Sequence, residues 1–380
     1  MNIGIVSPSF NYGGANMVAA TIGKELEKDY NVLFIPYQDD TNYFDVAEES
    51  LISILEKKGT ISSNIVKIKK GIELVLNNRN FTPKKYVKKE IANLKKIIAD
   101  KNLEILIFNS AITTVLFCEE VKLAFPELKV ISWMHEDTDY SFNEITKNYQ
   151  VPFFRSLKAT DQIICLTEKA AEVYSKINKN TTIIHNPMIL KEKGVSNLST
   201  RVISFTSRLD VHVKGLDYLL DVAKDLPDGW KVRIAGQGTQ KEEKDFLELI
   251  RKNNVNSKID YVGPLAGKNL ANHYIESSIF LSTSRTEALP LVMIEAMSFG
   301  LPIVSFDHGG AQELLKSDMI GVLVPSFDTK EMSRQINTLI TDKNLSINFQ
   351  KRALLKAKEF DLDSIIIKWR EILDGKKCGN

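Results

Sequence analysis

Two glutamates with seven residues between them, Glu287 and Glu295, lie in the segment Ser282-Thr-Ser-Arg-Thr-Glu287-Ala-Leu-Pro-Leu-Val-Met-Ile-Glu295-Ala-Met-Ser-Phe-Gly300-Leu-Pro302. A strand ending near Ser282 and a helix starting at about Pro290, a residue suited to the first helical position, put Glu287 in the loop and Glu295 inside the helix. A loop carboxylate at that place can accept hydrogen bonds from sugar hydroxyls. Backbone N–H groups between Ala288 and Leu291 would face an anion set at the helix start. Glu295 could hold both hydroxyls of a ribose, because one carboxylate matches a vicinal diol. In isolation the two acids would read as a helix-dipole partner and a solvated side chain. The strand–loop–helix setting favours the ligand reading.

Upstream, Ser204-Phe-Thr-Ser-Arg208-Leu-Asp-Val-His-Val-Lys214-Gly215 is again strand, loop and helix start. Arg208 offers a planar fork of donors and Lys214 a mobile point charge, a pair suited to a diphosphate. The run Ala235-Gly236-Gln-Gly238 follows a further strand, and glycines there would let a nucleotide approach the backbone. A lone Gly-x-Gly is also what an ordinary turn carries.

Together these residues resemble the donor half of the retaining GT-B glycosyltransferases of family 4. The Glu-x7-Glu motif is Glu287 to Glu295, and Arg208-Leu209…Lys214-Gly215, Asp307-His-Gly309-Gly310…Glu313 and Gly321-x-Leu-Val-Pro325 follow in the family's order. One departure is Ala288-Leu289, where the family carries Gly-Phe, so the motif does not identify the sugar. The N-terminal half matches more loosely. Gly13-Gly14 follows the first strand like the family's glycine loop, and His135 ends a strand like its histidine beside the transferred sugar.

The resemblance implies transfer of a hexosyl or N-acetylhexosaminyl unit, with retention, from a nucleotide sugar to a glycan or lipid-linked acceptor in cell-surface polysaccharide synthesis. UDP is the first carrier to expect. Catalytic roles fall to His135, Arg208, Lys214 and Glu287. The donor would contact Gly14, Gly236, Leu265 (near the base), Ala288, Leu289, Pro290, Leu291 and Glu295. No cofactor or metal is expected, since Arg208 and Lys214 neutralise the diphosphate; their loss, or that of Glu287, should lower rate and leave thermal stability nearly unchanged. Asp137-Thr-Asp139 matches the Asp-x-Asp of metal-dependent GT-A enzymes, a reading that leaves the second half unexplained. Two other classes carry the same fold: a non-catalytic GT-B partner subunit, and a GT-B-fold sugar-nucleotide epimerase or hydrolase.

The elements that must position these groups alternate strand and helix along nearly the whole chain, without two-residue hairpins. That pattern predicts an α/β protein with two doubly wound parallel-sheet, Rossmann-like domains. At 380 residues the chain exceeds the roughly 250–300 that one core supports. The polar stretch after Asn186-Pro187 sets the expected limits: 1–186 on the acceptor side, 187–360 for the nucleotide sugar, and a C-terminal helix in 361–380 crossing back to the first domain.

Charge is nearly balanced, 50 basic against 48 acidic residues, which gives no sign of a nucleic-acid partner. Three unpaired-looking cysteines, Cys118, Cys165 and Cys378, exclude a disulfide framework and fit a reducing cytosol. No apolar run reaches the roughly 18–20 residues of a membrane span, and the first residues read as a strand rather than a signal peptide, so a cytoplasmic protein is expected. The balance hides an asymmetry. From Lys57 to Lys101 there are 13 basic residues against Glu73, Glu90 and Asp100, or +10. That stretch suggests peripheral contact with an anionic membrane on its inner face.

Overall fold

The computed structural model describes residues 1–11, 13–55, 69–77, 82–316 and 320–375. Lys57, Lys58, Lys67 and Arg79 of the basic stretch, Cys378, and the end of the expected C-terminal segment lie outside the described residues. The chain divides into two units, Met1–His185 with Ile365–Asn380, and Asn186–Ser364.

In the first unit β1 (Asn2–Ser7), β2 (Asn31–Pro36), β3 (Ile105–Phe108), β4 (Lys129–Trp133), β5 (Gln162–Cys165) and β6 (Thr181–Ile183) form a parallel sheet in the order β2-β1-β3-β4-β5-β6. In the second, β7 (Val202–Thr206), β8 (Lys231–Ala235), β9 (Ile259–Gly263), β10 (Ile279–Ser282), β11 (Ile303–Phe306) and β12 (Gly321–Val324) are ordered β12-β11-β10-β7-β8-β9. Helices cover both faces, which is why Ile105–Phe108 and Ile279–Ser282 are buried at every position and read as continuous apolar runs. The fold is thus the pair of doubly wound sheets that the alternation predicts. Strand order reverses between β1 and β3 in one sheet and between β7 and β10 in the other. Beyond the carboxyl ends of strands at such a reversal, open parallel sheets leave a crevice for ligands.

Local sequence accounts for several helix starts. Thr239 and Glu242 form a reciprocal capping box at the start of Gln240–Lys252. Ser110 caps Ala111–Ala124 by accepting from the Thr113 N–H at 3.2 Å. The expected helix from Lys84 to Asp100 is broken: Pro83–Tyr86 is a 3-10 turn and the α-helix runs Lys88–Asp100. Its Ile91, Leu94 and Ile98 are buried, as their spacing requires. Several of its lysines have acidic partners. Lys84 and Lys95 reach Glu120 at 2.8 and 3.3 Å, and Lys85 reaches Glu73 at 3.0 Å, while Lys88, Lys96 and Lys101 are exposed. Among the described residues no helix is long and apolar enough to cross a membrane.

The last helix, Leu362–Leu373, joins the first unit from Ile365 onward. Trp369 is fully buried with its ring 4.5 Å from that of Trp133, Arg370 pairs with Asp29 at 2.5 Å, and the Tyr30 hydroxyl donates to Asp374 at 2.9 Å. Trp369→Ala should therefore destabilise the first unit by about 3–5 kcal/mol, the usual cost of emptying a buried aromatic site. Denaturant unfolding followed by tryptophan fluorescence measures it, and a loss near zero would mean the helix is not part of that core.

Candidate active site

The reversal between β7 and β10 brings together the loops 207–215 and 283–290, and it does so through backbone. The Arg285 N–H donates to the Val213 carbonyl at 2.9 Å, and the Thr283 hydroxyl to the Lys214 carbonyl at 3.0 Å. Gly215 sits at φ +62°, and a Cβ there would lie 2.0 Å from the Thr283 carbonyl oxygen. Only glycine satisfies both the left-handed backbone and that approach. Arg285 clamps the same junction: its guanidinium grips Asp217 in bidentate fashion at 2.9 and 2.6 Å, donates to the His212 carbonyl at 2.7 Å, and lies over the Tyr218 ring at 4.2 Å.

With the loops so joined, the Lys214 ammonium donates to Glu287 Oε1, and the Ser284 hydroxyl reaches the same oxygen at 2.9 Å. Burial alone would raise the Glu287 carboxyl. The charge and hydrogen bond of Lys214, His308 and the Ser284 hydroxyl outweigh it and hold the group below its ordinary range, so it is an anion. Its main chain is fixed as well: the Gly310 N–H donates to the Glu287 carbonyl at 3.0 Å, and a Cβ on Gly310 would meet the Ala288 carbonyl at 2.6 Å. His308 caps the helix Gly309–Leu315, its Nδ1 accepting from the Ala311 N–H at 3.2 Å.

Glu295 has the opposite fate. It lies on the helix Leu291–Ser298, whose faces are apolar nearly all round, and only 6% of the residue is exposed. Burial pushes its carboxyl up to about 7, against the hydrogen bond it accepts from the Tyr274 hydroxyl at 2.7 Å. The reading of Glu295 as a merely solvated residue is thereby excluded. Pro290 stands at the N-cap, with φ −73° and ψ 113°, rather than at the first helical position. It has no N–H, so donors at this helix start come from Leu291 onward, and Ala288 precedes the helix.

Arg208 is exposed after β7, beside the glycine run that follows β8. At Gly236 a Cβ would lie 1.7 Å from the Ser207 carbonyl oxygen, and at Gly238 the Leu209 and Glu242 Cβ atoms are both 3.0 Å from that position. Both positions are thus constrained by the packing of the chain's own loops, independently of any nucleotide. Leu265 is half-buried in the loop after β9, and Leu289 and Pro290 are buried. Thus Arg208, Lys214, Gly236, Leu265, Glu287, the 288–291 run and Glu295 all belong to the second unit. Gly14 and His135 belong to the first. Gly14 opens the helix Gly14–Leu26 and is exposed. His135 follows β4, its ring 4.3 Å from that of Trp133, and neither ring nitrogen has a partner among the described residues. Burial lowers its pKa to about 3, so the imidazole is neutral.

In the same unit, the carboxylates of the Asp-x-Asp triplet are otherwise engaged. Asp137 caps the next helical turn, accepting from the Asp139 and Tyr140 N–H groups, and Asp139 lies 3.6 Å from Lys169. Sequence reasoning missed Tyr274 and the Arg285–Asp217 clamp. Tyr274 is remote in sequence from Glu295 and carries no motif, whereas the position of Arg285 inside the strand–loop–helix segment is a signal that could have found it.

The buried acid yields a pH test. Between its ordinary value of 4.5 and about 7, folded Glu295 holds a proton that the unfolded chain has released. Stability therefore falls as pH rises through that window and is flat above it. Glu295→Gln cannot ionise, so its melting temperature should match wild type near pH 4 and exceed it by several degrees near pH 8, where about 1.4 kcal/mol per unit has accumulated. The same offset at both pH values would mean the carboxyl ionises freely when folded.

The family model described as glycosyl transferases group 1 matches residues 189–356. The amylovoran biosynthesis glycosyltransferase AmsD of Erwinia amylovora is 26% identical, over 96% of this chain and 97% of that one. A Campylobacter jejuni enzyme named as an α-1,4-N-acetyl-D-galactosaminyltransferase acting on a GalNAc-containing diphospho-undecaprenol is 22% identical, over 98% of each chain. Among solved structures, Anabaena HepE in complex with UDP and glucose superposes with a TM-score of 0.78 at 18% identity, covering 99% of this chain and 100% of that one. The two doubly wound parallel sheets are the fold of GT-B glycosyltransferase structures, and the group 1 pattern across the second of them marks the chain as a glycosyltransferase.

Proposed function

We propose that the protein moves a hexosyl or N-acetylhexosaminyl unit, with retention, from a UDP-sugar to a glycan or lipid-linked acceptor in the synthesis of a bacterial surface polysaccharide. The observation that carries this is the Lys214–Glu287 pair at the strand reversal, one cation and one fixed anion held side by side with Arg208 on the same β7 loop. A nucleotide sugar has a partner for each: diphosphate oxygens for Lys214 and Arg208, sugar hydroxyls for Glu287. The UDP and glucose in HepE support the choice of donor, and the undecaprenol-linked substrate in the name of the Campylobacter enzyme supports a lipid-linked acceptor. An acceptor of that kind is presented at a membrane, so peripheral association with the inner face goes with this reading.

In the reaction the bond from the anomeric carbon to the β-phosphate oxygen breaks while the acceptor oxygen bonds to the same face. The acceptor proton passes to the departing phosphate. Arg208 and Lys214 stabilise the charge that develops there, a role otherwise given to a metal ion. Glu287, kept ionised, orients the sugar. Glu295 accepts from the ribose hydroxyls best as a carboxylate, so nucleotide affinity rises as pH passes about 7. His135, neutral and with both ring nitrogens unpartnered among the described residues, can donate to or accept from a hydroxyl of sugar or acceptor.

Glu287→Ala, Arg208→Ala and Lys214→Ala should each lose at least about 10²-fold in kcat/KM. The expectation of unchanged stability holds for exposed Arg208 only. Lys214 and Glu287 leave 15% and 18% of their side chains exposed, so removing either strands the other's charge. A double-mutant cycle on melting should show coupling of about 1–2 kcal/mol between them. Wild-type turnover in Arg208→Ala and Lys214→Ala, or an inverted anomer in the product by NMR, would overturn the assignment.

Activity is further expected to survive EDTA, because the two cations neutralise the diphosphate. Asp137→Ala and Asp139→Ala should leave UDP affinity unchanged in calorimetry. Loss with EDTA and recovery with Mn²⁺ would count against that account.

A further inference from the structure

Residues 69–76 form a helix whose two sides differ. On one side Glu73 accepts from the Thr82 N–H at 3.0 Å, from Lys85 at 3.0 Å and from the Tyr86 hydroxyl at 2.5 Å. The Lys70 ammonium lies 5.2 Å from the centre of the Tyr86 ring. These contacts fix which side of the helix meets the protein. Ile72, Val75 and Leu76, spaced i, i+3, i+4, share the other side. They are 54, 82 and 76% exposed, and the last two are the most exposed large apolar side chains among the described residues. Single exposed aliphatics need no explanation, but three on one helical face mark a contact surface.

The surroundings say what kind. The helix lies within the stretch that carries +10, and Lys69, Lys88, Lys96 and Lys101 are exposed along it. A symmetric contact between two copies would set this positive stretch against itself. A polyanion without an apolar phase would satisfy the lysines and leave the aliphatic side chains in water. An anionic lipid surface takes both, acyl chains for the aliphatics and headgroup phosphates for the ammonium groups.

We propose that residues 69–76 are the membrane-contacting element, with Ile72, Val75 and Leu76 entering the interfacial layer of an anionic bilayer and Lys69 and Lys88 at its phosphates. The proposal rests on the lipid-linked-acceptor reading for its purpose, and it is tested without sugar transfer. The full chain is sedimented with phosphatidylcholine vesicles and with mixed phosphatidylcholine–phosphatidylglycerol vesicles, at low and high salt. Binding to the mixed vesicles alone is expected. The triple variant Ile72→Ser, Val75→Ser, Leu76→Ser should bind them at least about tenfold more weakly with an unchanged melting temperature. Lys69→Gln with Lys88→Gln should weaken binding by about fivefold or more at low salt, and by less at about 1 M salt, where the Debye length is about 3 Å. Equal binding to both vesicle types, no binding at low salt, undiminished binding by the triple variant, or a wild-type dimer that the triple variant dissolves would each overturn the proposal. Vesicle binding as expected with no glycosylation of a lipid-linked acceptor would instead leave it standing and remove the functional reading.

Discussion

The approach of Gly215 to the carbonyl of Thr283 is the constraint from which the second unit's chemistry follows. Two loops that leave different strands can share a site only if their backbones touch, and here a single methyl group would come to 2.0 Å from an oxygen. Because that contact is made by main chain, the Lys214 and Glu287 side chains are not needed to hold the two backbones together and pair with each other. Arg285 supplies the lateral restraint through Asp217 and Tyr218, which leaves the junction little freedom to slide. Ion pairs held by flexible loops contribute little, since ordering two long side chains offsets the attraction. Here the ordering has been done by the backbone, so the pair is prepared before a ligand arrives.

The two glutamates of the motif show how one segment can hold carboxyl groups in opposite states. Glu287 is drawn below its ordinary range by a neighbouring cation, and Glu295 is pushed above it by burial on an apolar helix. Sequence spacing is the same for both descriptions; what separates them is that one precedes the helix and the other lies inside it. A permanently charged acceptor suits hydroxyls that must be oriented for reaction. One that titrates near neutrality suits binding that can be released.

Much of this was legible in the residues. Strand runs such as Asn2–Ser7 and Gln162–Cys165 were clear, because parallel strands buried on both faces must be continuously apolar. The loop settings of Glu287, Lys214 and Arg208 were legible from the strand and helix runs on either side of them, whereas the pairing of Lys214 with Glu287 was not, since it depends on the strand order. The Tyr274–Glu295 bond was not, because it joins two helices whose approach is set by the sheet between their strands. Nor was the packing demand on Gly236, because the Ser207 carbonyl that a side chain there would strike lies on a different strand's loop. The break at Val87 escaped periodicity because the apolar spacing runs on through it while the backbone does not.

The return of the helix Leu362–Leu373 to the first unit makes that unit discontinuous along the chain. During synthesis, which proceeds at roughly 5–20 residues per second, Trp133 emerges long before Trp369. The first unit must wait, with part of its apolar surface uncovered, until the whole second unit has left the ribosome. The order of maturation is then inverted relative to the order of translation: the unit that begins the chain is the last to be completed. The second unit, uninterrupted from Asn186 to Ser364, can finish its own sheet in the interval.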